Sequence, residues 1–220
     1  YYHSFGVRSD GTLWAWGHNA DGQLGLDDTT DRHVPTQVGS ATEWVSASAG
    51  YYHSLAVRSD GTLWTWGRNR AVDKYPGKGG QLGLGDLTDR HVPTQVGSAT
   101  NWAAVCGGIS HSLGVCSDGT LWAWGFNPHG ELGLGNIGQP GKKSPTQVVG
   151  ATNWVVASAG LYRSLGVRSD GTLWAWGMNP YGQMGVPASP AVMNPTQVAG
   201  ASNWVAVGGG TYQFLGLRSD

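Results

Sequence analysis

The chain has 220 residues, and its 13 Lys and Arg against 14 Asp and Glu give a formal net charge of -1 with only 12% charged residues. This balance excludes an acidic or basic tail protein and a general nucleic-acid-binding surface, so we expect no nucleic-acid partner. Glycine and tryptophan, with 37 and 12 residues, are far more frequent than in an average globular domain, which indicates a repeating architecture. Apolar runs are too short for a transmembrane helix or a signal-peptide core, so we expect no membrane partner.

A Ser-Asp-Gly turn recurs along the whole chain at intervals of roughly 50 residues, beginning at Ser9, Ser59, Ser117 and Ser169. Two insertions that belong to single repeats, at 68–80 and 134–144, explain the longer intervals. We therefore expect one array over 1–220, with repeats at about 1–50, 51–108, 109–160 and 161–210 and a partial fifth repeat at 211–220.

Each repeat is predicted to contain four short strands and no helix. In the second repeat large and small side chains alternate over 53–57, the Asp-Gly turn allows a tight hairpin, and the alternation returns over 63–66. A third strand is expected at 93–96, after a leading proline, and a fourth at 102–105. Four antiparallel strands per repeat predict an all-β fold, a β-propeller of four-stranded blades with about four blades in this chain.

The tryptophans are expected to hold the blades together. Trp14 and Trp16 lie on one face of their strand and Ala15 on the other, so a bulky face of one blade can fill the shallow face of the next. Burial of each indole is worth about 2–3 kcal/mol. A structural role is therefore predicted for the strand tryptophans Trp14, Trp16, Trp64, Trp66, Trp122, Trp124, Trp174 and Trp176.

The string A-G-Y-Y-H-S-L-A-V-R-S-D-G-T-L-W-T-W-G at 49–67, followed by G-Q-L-G-L-G and P-T-Q-V, resembles the regulator of chromosome condensation repeat. The resemblance extends over essentially the whole chain, four times. It implies blades of a propeller that usually has seven, used as a rigid disc that binds other proteins. Guanine-nucleotide exchange on a small GTPase is one activity in this family, but no insertion here matches an exchange wedge residue by residue.

Four repeats and a short overhang do not make seven blades. Three arrangements are open: a fragment of a longer propeller, two copies that assemble, or four blades that close alone. An open arc exposes a tryptophan-bearing face and unpaired strand edges, which favour association. We therefore expect either additional blades or a homo-oligomer to complete the ring.

Three repeated histidines, His3, His53 and His111, could suggest a metal site. Arg163 and Gln213 replace them in the later repeats, so we expect a structural role, with a ring nitrogen bonded to neighbouring backbone, and no metal.

Repeated carboxylates could suggest acid/base catalysis or calcium binding. The Ser-Asp-Gly turn needs its carboxylate for local backbone bonds, so a structural role is expected for Asp10, Asp60, Asp118 and Asp170. The acidic segments 28–32 and 86–90 lack the spacing of a calcium loop and include an arginine, which favours surface pairing. The sequence therefore predicts neither an enzyme nor a cofactor.

Two cysteines occur in one repeat, where Cys106 replaces Ser or Gly and Cys116 replaces Arg. A disulfide is one interpretation. The hairpin register should place Cys116 nearer to Trp102 than to Cys106, which favours two unrelated thiols.

The first insertion is the best candidate for a partner-binding site, because a loop found in only one repeat is not needed for the fold and can serve a specific function. Together with the second insertion it supplies cations and an aromatic ring suited to a protein partner, at Arg68, Arg70, Lys74, Tyr75, Lys78, Lys142 and Lys143. A tolerated solvated loop is the alternative. Carbohydrate binding is a further one, through Tyr1, Tyr51, Tyr75 and Tyr181.

Overall fold

The computed structural model describes residues 2–70, 79–137, 141–210 and 213–220. Within these ranges the regular structure consists of strands, without a helix. The strands form five antiparallel sheets in chain order, named here sheet 1 to sheet 5. The prediction of an all-β fold built from four-stranded antiparallel blades is confirmed.

Sheet 1 comprises β1 (His3–Val7), β2 (Leu13–Gly17) and β3 (Arg32–Gln37). Sheet 2 comprises β4 (Trp44–Ala49), β5 (His53–Arg58), β6 (Leu63–Gly67) and β7 (Arg90–Gln95). Sheet 3 comprises β8 (Trp102–Gly107), β9 (His111–Cys116), β10 (Leu121–Gly125) and β11 (Lys142–Gln147). Sheet 4 comprises β12 (Trp154–Ala159), β13 (Arg163–Arg168), β14 (Leu173–Asn179) and β15 (Ser189–Gln197). Sheet 5 comprises β16 (Trp204–Gly209) and β17 (Phe214–Arg218).

The blades are shifted by one strand relative to the sequence repeats. The last strand of each repeat does not close its own blade but opens the next one, so that β4 pairs with β5 and sheet 2 has the order β4-β5-β6-β7. The short turn after β4 explains the shift, because Ala49 pairs with Ser54 across it. The expectation that the four strands of one repeat form one blade was therefore wrong, because the fourth strand belongs to the following blade.

The sheets are arranged as a fan. The first strands of sheets 2 to 5 contact one another in succession. In sheets 2 to 4 the second strand also contacts the first strand of the next sheet, and in sheet 1 the first strand, β1, makes this contact with β4. The sheets therefore converge at β4, β8, β12 and β16, and the outer strands β3, β7, β11 and β15 lie at the perimeter. This radial arrangement is that of propeller blades.

The hydrophobic core lies between the sheets. One cluster joins Leu13 and Ala15 of sheet 1 to Trp44 and Trp66 of sheet 2, and three similar clusters fill the following interfaces. In sheets 2, 3 and 4 the second tryptophan of the Trp-x-Trp strand is completely buried, at Trp66, Trp124 and Trp176. Neighbouring sheets thus bury large side chains against each other.

Candidate functional site

Neighbouring sheets are tied by a buried hydrogen-bond relay. His53 Nε2 lies 2.9 Å from Ser112 Oγ, and this hydroxyl donates to the carbonyl oxygen of Gln81 at 2.8 Å. Because the serine has one proton to donate, the proton on the first bond must lie on His53 Nε2. The same carbonyl accepts a bond from Trp124 Nε1 at 2.8 Å. Three side chains and one loop carbonyl therefore fix sheet 2 against sheet 3.

The relay recurs between sheets 1 and 2 and between sheets 3 and 4, where His3 lies 2.9 Å from Ser54 and His111 lies 3.2 Å from Ser164. Burial lowers the pKa of His3 and His53 to about 3 and that of His111 to about 4, so the rings are neutral near pH 7. In all three the Nε2 atom faces a serine hydroxyl of the next sheet, and a backbone hydrogen bond links His111 to Arg163 as well. In the fourth repeat Arg163 Nε donates instead to the carbonyl of Met178.

The Asp-Gly turns are held by local bonds. Asp60 Oδ1 accepts bonds from the backbone N and from Oγ1 of Thr62 at 2.9 and 2.6 Å, and Trp64 Nε1 donates to the same hydroxyl at 2.9 Å. The bonds from threonine hold the pKa of the aspartate below its usual value. The other three turns repeat these contacts, at Asp10, Asp118 and Asp170. The geometry is that of a structural turn, with each carboxylate directed at its own hairpin.

The acidic segments form ion-paired loops. Arg32 pairs with Asp28, and Arg90 lies 2.6 Å from Asp86. Asn19 donates from its side chain to both the carbonyl and the carboxylate of Asp28. Among the described residues, no group of three or more His, Cys, Asp and Glu side chains is arranged to hold a metal ion.

The two cysteines are free thiols. Trp102 pairs with Cys116 and Cys106 pairs with Leu113, so the predicted hairpin register is confirmed. Cys116 is buried at the end of β9, with 4% of its surface exposed.

The cations at the start of the first insertion differ in their environment. The Arg68 side chain is 13% exposed, with Nε 3.8 Å from Asp21 and the guanidinium 5.1 Å from the Tyr52 ring. Arg70 has a 64% exposed side chain and reaches Asp89 at 3.2 Å. The Arg70 side chain is therefore mostly exposed to solvent, whereas the Arg68 side chain is largely buried against Asp21 and Tyr52. The candidates Lys74, Tyr75 and Lys78 lie outside the described residues.

Lys142 and Lys143 lie on the perimeter strand β11 and not in a loop, which corrects their assignment to the second insertion. They occupy the positions that Arg90 and His91 have in the previous repeat. The end of the first insertion reaches them, since a Cβ added to Gly80 would lie 2.8 Å from Lys143 Cα. Arg70, Lys142 and Lys143 are named here the basic rim.

Of the four tyrosines proposed for carbohydrate stacking, the structure describes Tyr51, in a turn of sheet 2, and Tyr181, in a loop of sheet 4. Tyr51 packs against Tyr52 and Tyr2, with ring centroids 4.3 and 5.8 Å away. Tyr181 is 88% exposed in the loop after β14. Tyr1 and Tyr75 lie outside the described residues.

Sequence reasoning missed two features of the repeat. Arg58 lies over the rings of Trp44 and Trp64, and Arg168 lies in the same way in sheet 4. Glu131 is a buried carboxyl, 1% exposed. The available signals were single departures from the repeat, where Cys116 replaces an arginine and Glu131 replaces a glutamine.

A fan of four-stranded sheets joined along their inner strands defines the class of β-propeller proteins. The regulator of chromosome condensation (RCC1) repeat matches residues 10–57, 60–115, 118–167 and 170–217. The chain therefore belongs to the RCC1 repeat family, as the sequence resemblance predicted.

Two curated relatives illustrate the range of the family. The chain is 35% identical over 189 residues to the ultraviolet-B receptor UVR8 of Arabidopsis thaliana, covering 84% of this chain and 41% of the receptor. It is 31% identical over 194 residues to the human E3 ubiquitin-protein ligase HERC2, covering 83% of this chain and 4% of the ligase. The chain thus spans less than half the length of these relatives.

Solved structures show the same fold. Human WBSCR16 superposes with a TM-score of 0.83 at 22% identity, over 100% of this chain and 56% of that one. Yeast RCC1 (Prp20), solved bound to Kap60, gives a TM-score of 0.83 at 22% identity, over 100% of this chain and 53% of that one. In the part of the chain that the structure describes, no helix is long and apolar enough to cross a membrane.

Proposed function

We propose that this chain is a non-enzymatic protein-interaction scaffold, a single propeller array over 1–220 that binds a protein partner through its basic rim. The observation that carries the proposal is the contact between the end of the first insertion and the cationic start of strand β11. The end of the first insertion packs on the strand of Lys142 and Lys143, and the exposed Arg70 side chain lies at the start of that insertion. Arg70 also pairs with Gly79 in a β-bridge next to Gly80, which supports a grouping of cations from two sheets on one part of the perimeter.

The scaffold supports this role energetically. The buried relays between sheets hold the rim in place before a partner arrives, so little conformational entropy is lost on binding. Solved relatives are consistent with protein binding, since yeast RCC1 was solved with Kap60 and Prp20p is described with binding properties to Gsp1p and histones. An exposed basic rim favours a partner with an acidic surface.

The test is charge reversal at two residues of the basic rim, Lys142 and Lys143, and at two lysines of the first insertion, Lys74 and Lys78. The quadruple variant K74E/K78E/K142E/K143E and the parent are each used for affinity capture from a lysate, and bound proteins are quantified by mass spectrometry. We expect the specific partners to be lost at least about tenfold, which corresponds to about 1.4 kcal/mol. The control is His33→Glu, at the position on β3 that corresponds to Lys143.

The proposal is wrong if the quadruple variant captures the same proteins in the same amounts as the parent. A loss that His33→Glu reproduces would show a general charge effect and would also contradict it. The exchange-factor alternative makes a separate prediction, namely that the chain accelerates nucleotide release from a small GTPase.

A further inference from the structure

Two sheets hold an arginine between two tryptophan rings. In sheet 2 the Cζ atom of Arg58 lies 4.5 Å from the ring centroid of Trp44 and 3.9 Å from that of Trp64. In sheet 4 the corresponding distances from Arg168 are 4.7 Å and 3.6 Å. Within the described ranges the buried Nε of both arginines has no hydrogen-bond partner. The aromatic faces are therefore the main contacts of these guanidinium groups.

Sheet 3 keeps the two rings but lacks the arginine. The centroids of Trp102 and Trp122 are 6.3 Å apart, against 6.0 Å for the matching pair in sheet 2. Cys116 pairs with Trp102 in the register in which Arg58 pairs with Trp44. A short thiol thus stands where the long cationic side chain would begin.

The missing side chain leaves an open cleft, named here the Trp102–Trp122 cleft. Its volume is about 580 Å³, and Trp102, Cys116, Asp118, Thr120 and Trp122 contribute to its walls. The corresponding cleft in sheet 2, with Arg58 in its wall, measures about 420 Å³. The larger volume agrees with the exchange of an arginine for a cysteine.

The cleft has a negatively charged side chain, Asp118, without a matching cation among the described residues. Bonds from Thr120 hold the pKa of Asp118 below its usual value, so its carboxylate is ionised near pH 7. In sheets 2 and 4 the equivalent Asp60 and Asp170 each have a nearby arginine charge that lowers their pKa further. At the matching place in sheet 3 stands the uncharged Cys116.

We propose that the Trp102–Trp122 cleft binds the guanidinium group of an arginine side chain presented by a partner polypeptide. Two indole faces and a carboxylate are the groups that recognise guanidinium, and the chain uses the same arrangement internally in sheets 2 and 4. Lysine is a poorer fit, because its compact ammonium is strongly hydrated and cannot stack as a plane. The cleft is separate from the basic rim, whose residues do not line it.

The experiment is a titration of the full chain, monitored by calorimetry and by tryptophan fluorescence. The probe is the capped tripeptide acetyl-Gly-Arg-Gly-amide, compared with the same peptide containing lysine or citrulline, which is nearly isosteric with arginine but uncharged. We expect one site for the arginine peptide and about tenfold weaker binding of the other two. Equal binding of the citrulline peptide, or preference for the lysine peptide, would overturn the proposal.

Two reciprocal variants make the test specific. Cys116→Arg supplies an internal guanidinium, so it should abolish peptide binding, whereas Cys116→Ser leaves the cleft open and should bind as the parent does. Arg58→Cys should open a second site and raise the stoichiometry from one to two. Should Cys116→Arg fail to fold, the stoichiometry of Arg58→Cys decides. An unchanged single site in that variant, or undiminished binding by folded Cys116→Arg, contradicts the proposal.

Discussion

Glu131 makes stability depend on pH through one residue. Its side chain is 1% exposed, and burial raises the pKa of the carboxyl to about 8, while the backbone N of His129 donates to Oε2 at 2.8 Å. Because the folded pKa lies above the ordinary value of 4.5, the folded state holds the proton more tightly than the unfolded state. The stability that this proton contributes is complete below about pH 4.5 and is lost as the pH rises to about 8.

We therefore expect Glu131→Gln to raise the free energy of unfolding above pH 8 by a few kcal/mol, on the order of what one buried carboxylate costs. Urea unfolding of parent and variant from pH 5 to pH 9 measures this. The matched control is Gln81→Glu, which should introduce the same pH dependence one repeat earlier. Parallel stability curves for parent and Glu131→Gln would contradict the assignment.

Ser112 is the central residue of its relay, since it accepts from His53 and donates to the Gln81 carbonyl. Ser112→Ala leaves a buried imidazole N–H without an acceptor, and the expected loss of stability is about 1–3 kcal/mol. Thermal unfolding provides the measurement. The exposed Ser40→Ala serves as the control and should change stability by less than about 0.5 kcal/mol.

At the scale of elements, the Asp-Gly turn of one sheet packs against the segment that leads into the first strand of the next sheet. Gly119 has a φ of 78°, and a Cβ added there would lie 2.1 Å from the Thr152 carbonyl oxygen. The carbonyl of Gly119 accepts a bond from the backbone N of Trp154 at 3.0 Å. The turn therefore requires glycine for two reasons, its positive φ and the close approach of another backbone.

Alanine substitutions separate these two reasons. Gly39 also has a positive φ, of 59°, but no atom lies within 4 Å of an added Cβ. We expect Gly39→Ala to cost about 1–2 kcal/mol from backbone strain alone, and Gly119→Ala to cost more than about 3 kcal/mol. Denaturant unfolding compares the two. Equal losses would show that the contact with Thr152 has no energetic weight.

The elements could be predicted from sequence because their signals are local. Alternation over 53–57 and 63–66 and the glycine of each turn sufficed to place β5 and β6. The sheet to which the strand at Trp44 belongs was assigned wrongly, because a repeat period has no defined starting point. The serine partner of each histidine was missed, since the two residues meet only after neighbouring sheets pack.

At the scale of the whole molecule, the site was harder to predict than the fold. The insertion identified a candidate region, but the contact of Gly80 with Lys143 depends on how two sheets are placed. The Trp102–Trp122 cleft depends on a comparison of equivalent positions in three sheets. The exchange of Arg for Cys116 was visible in the sequence, but the stacking role of the arginine was not.

The fan also leaves one interface of sheet 1 incomplete, which predicts self-association of the purified chain. In sheet 3 the indole of Trp102 lies on Gly114, where an added Cβ would be 2.5 Å from the ring. At the equivalent Gly6 the nearest described atom is 3.7 Å away, on Trp16, and β1 is paired on one edge only. A surface that accepts a strand and an indole in every following sheet is therefore open to a second copy.

Light scattering after size exclusion should give a mass above 23.1 kDa that rises with concentration. Gly6→Lys places a charge on the open edge, so it should shift the population toward monomer, whereas Ser40→Lys adds the same charge in an exposed loop and should not. A parent chain that remains at the monomer mass at every concentration would contradict the prediction.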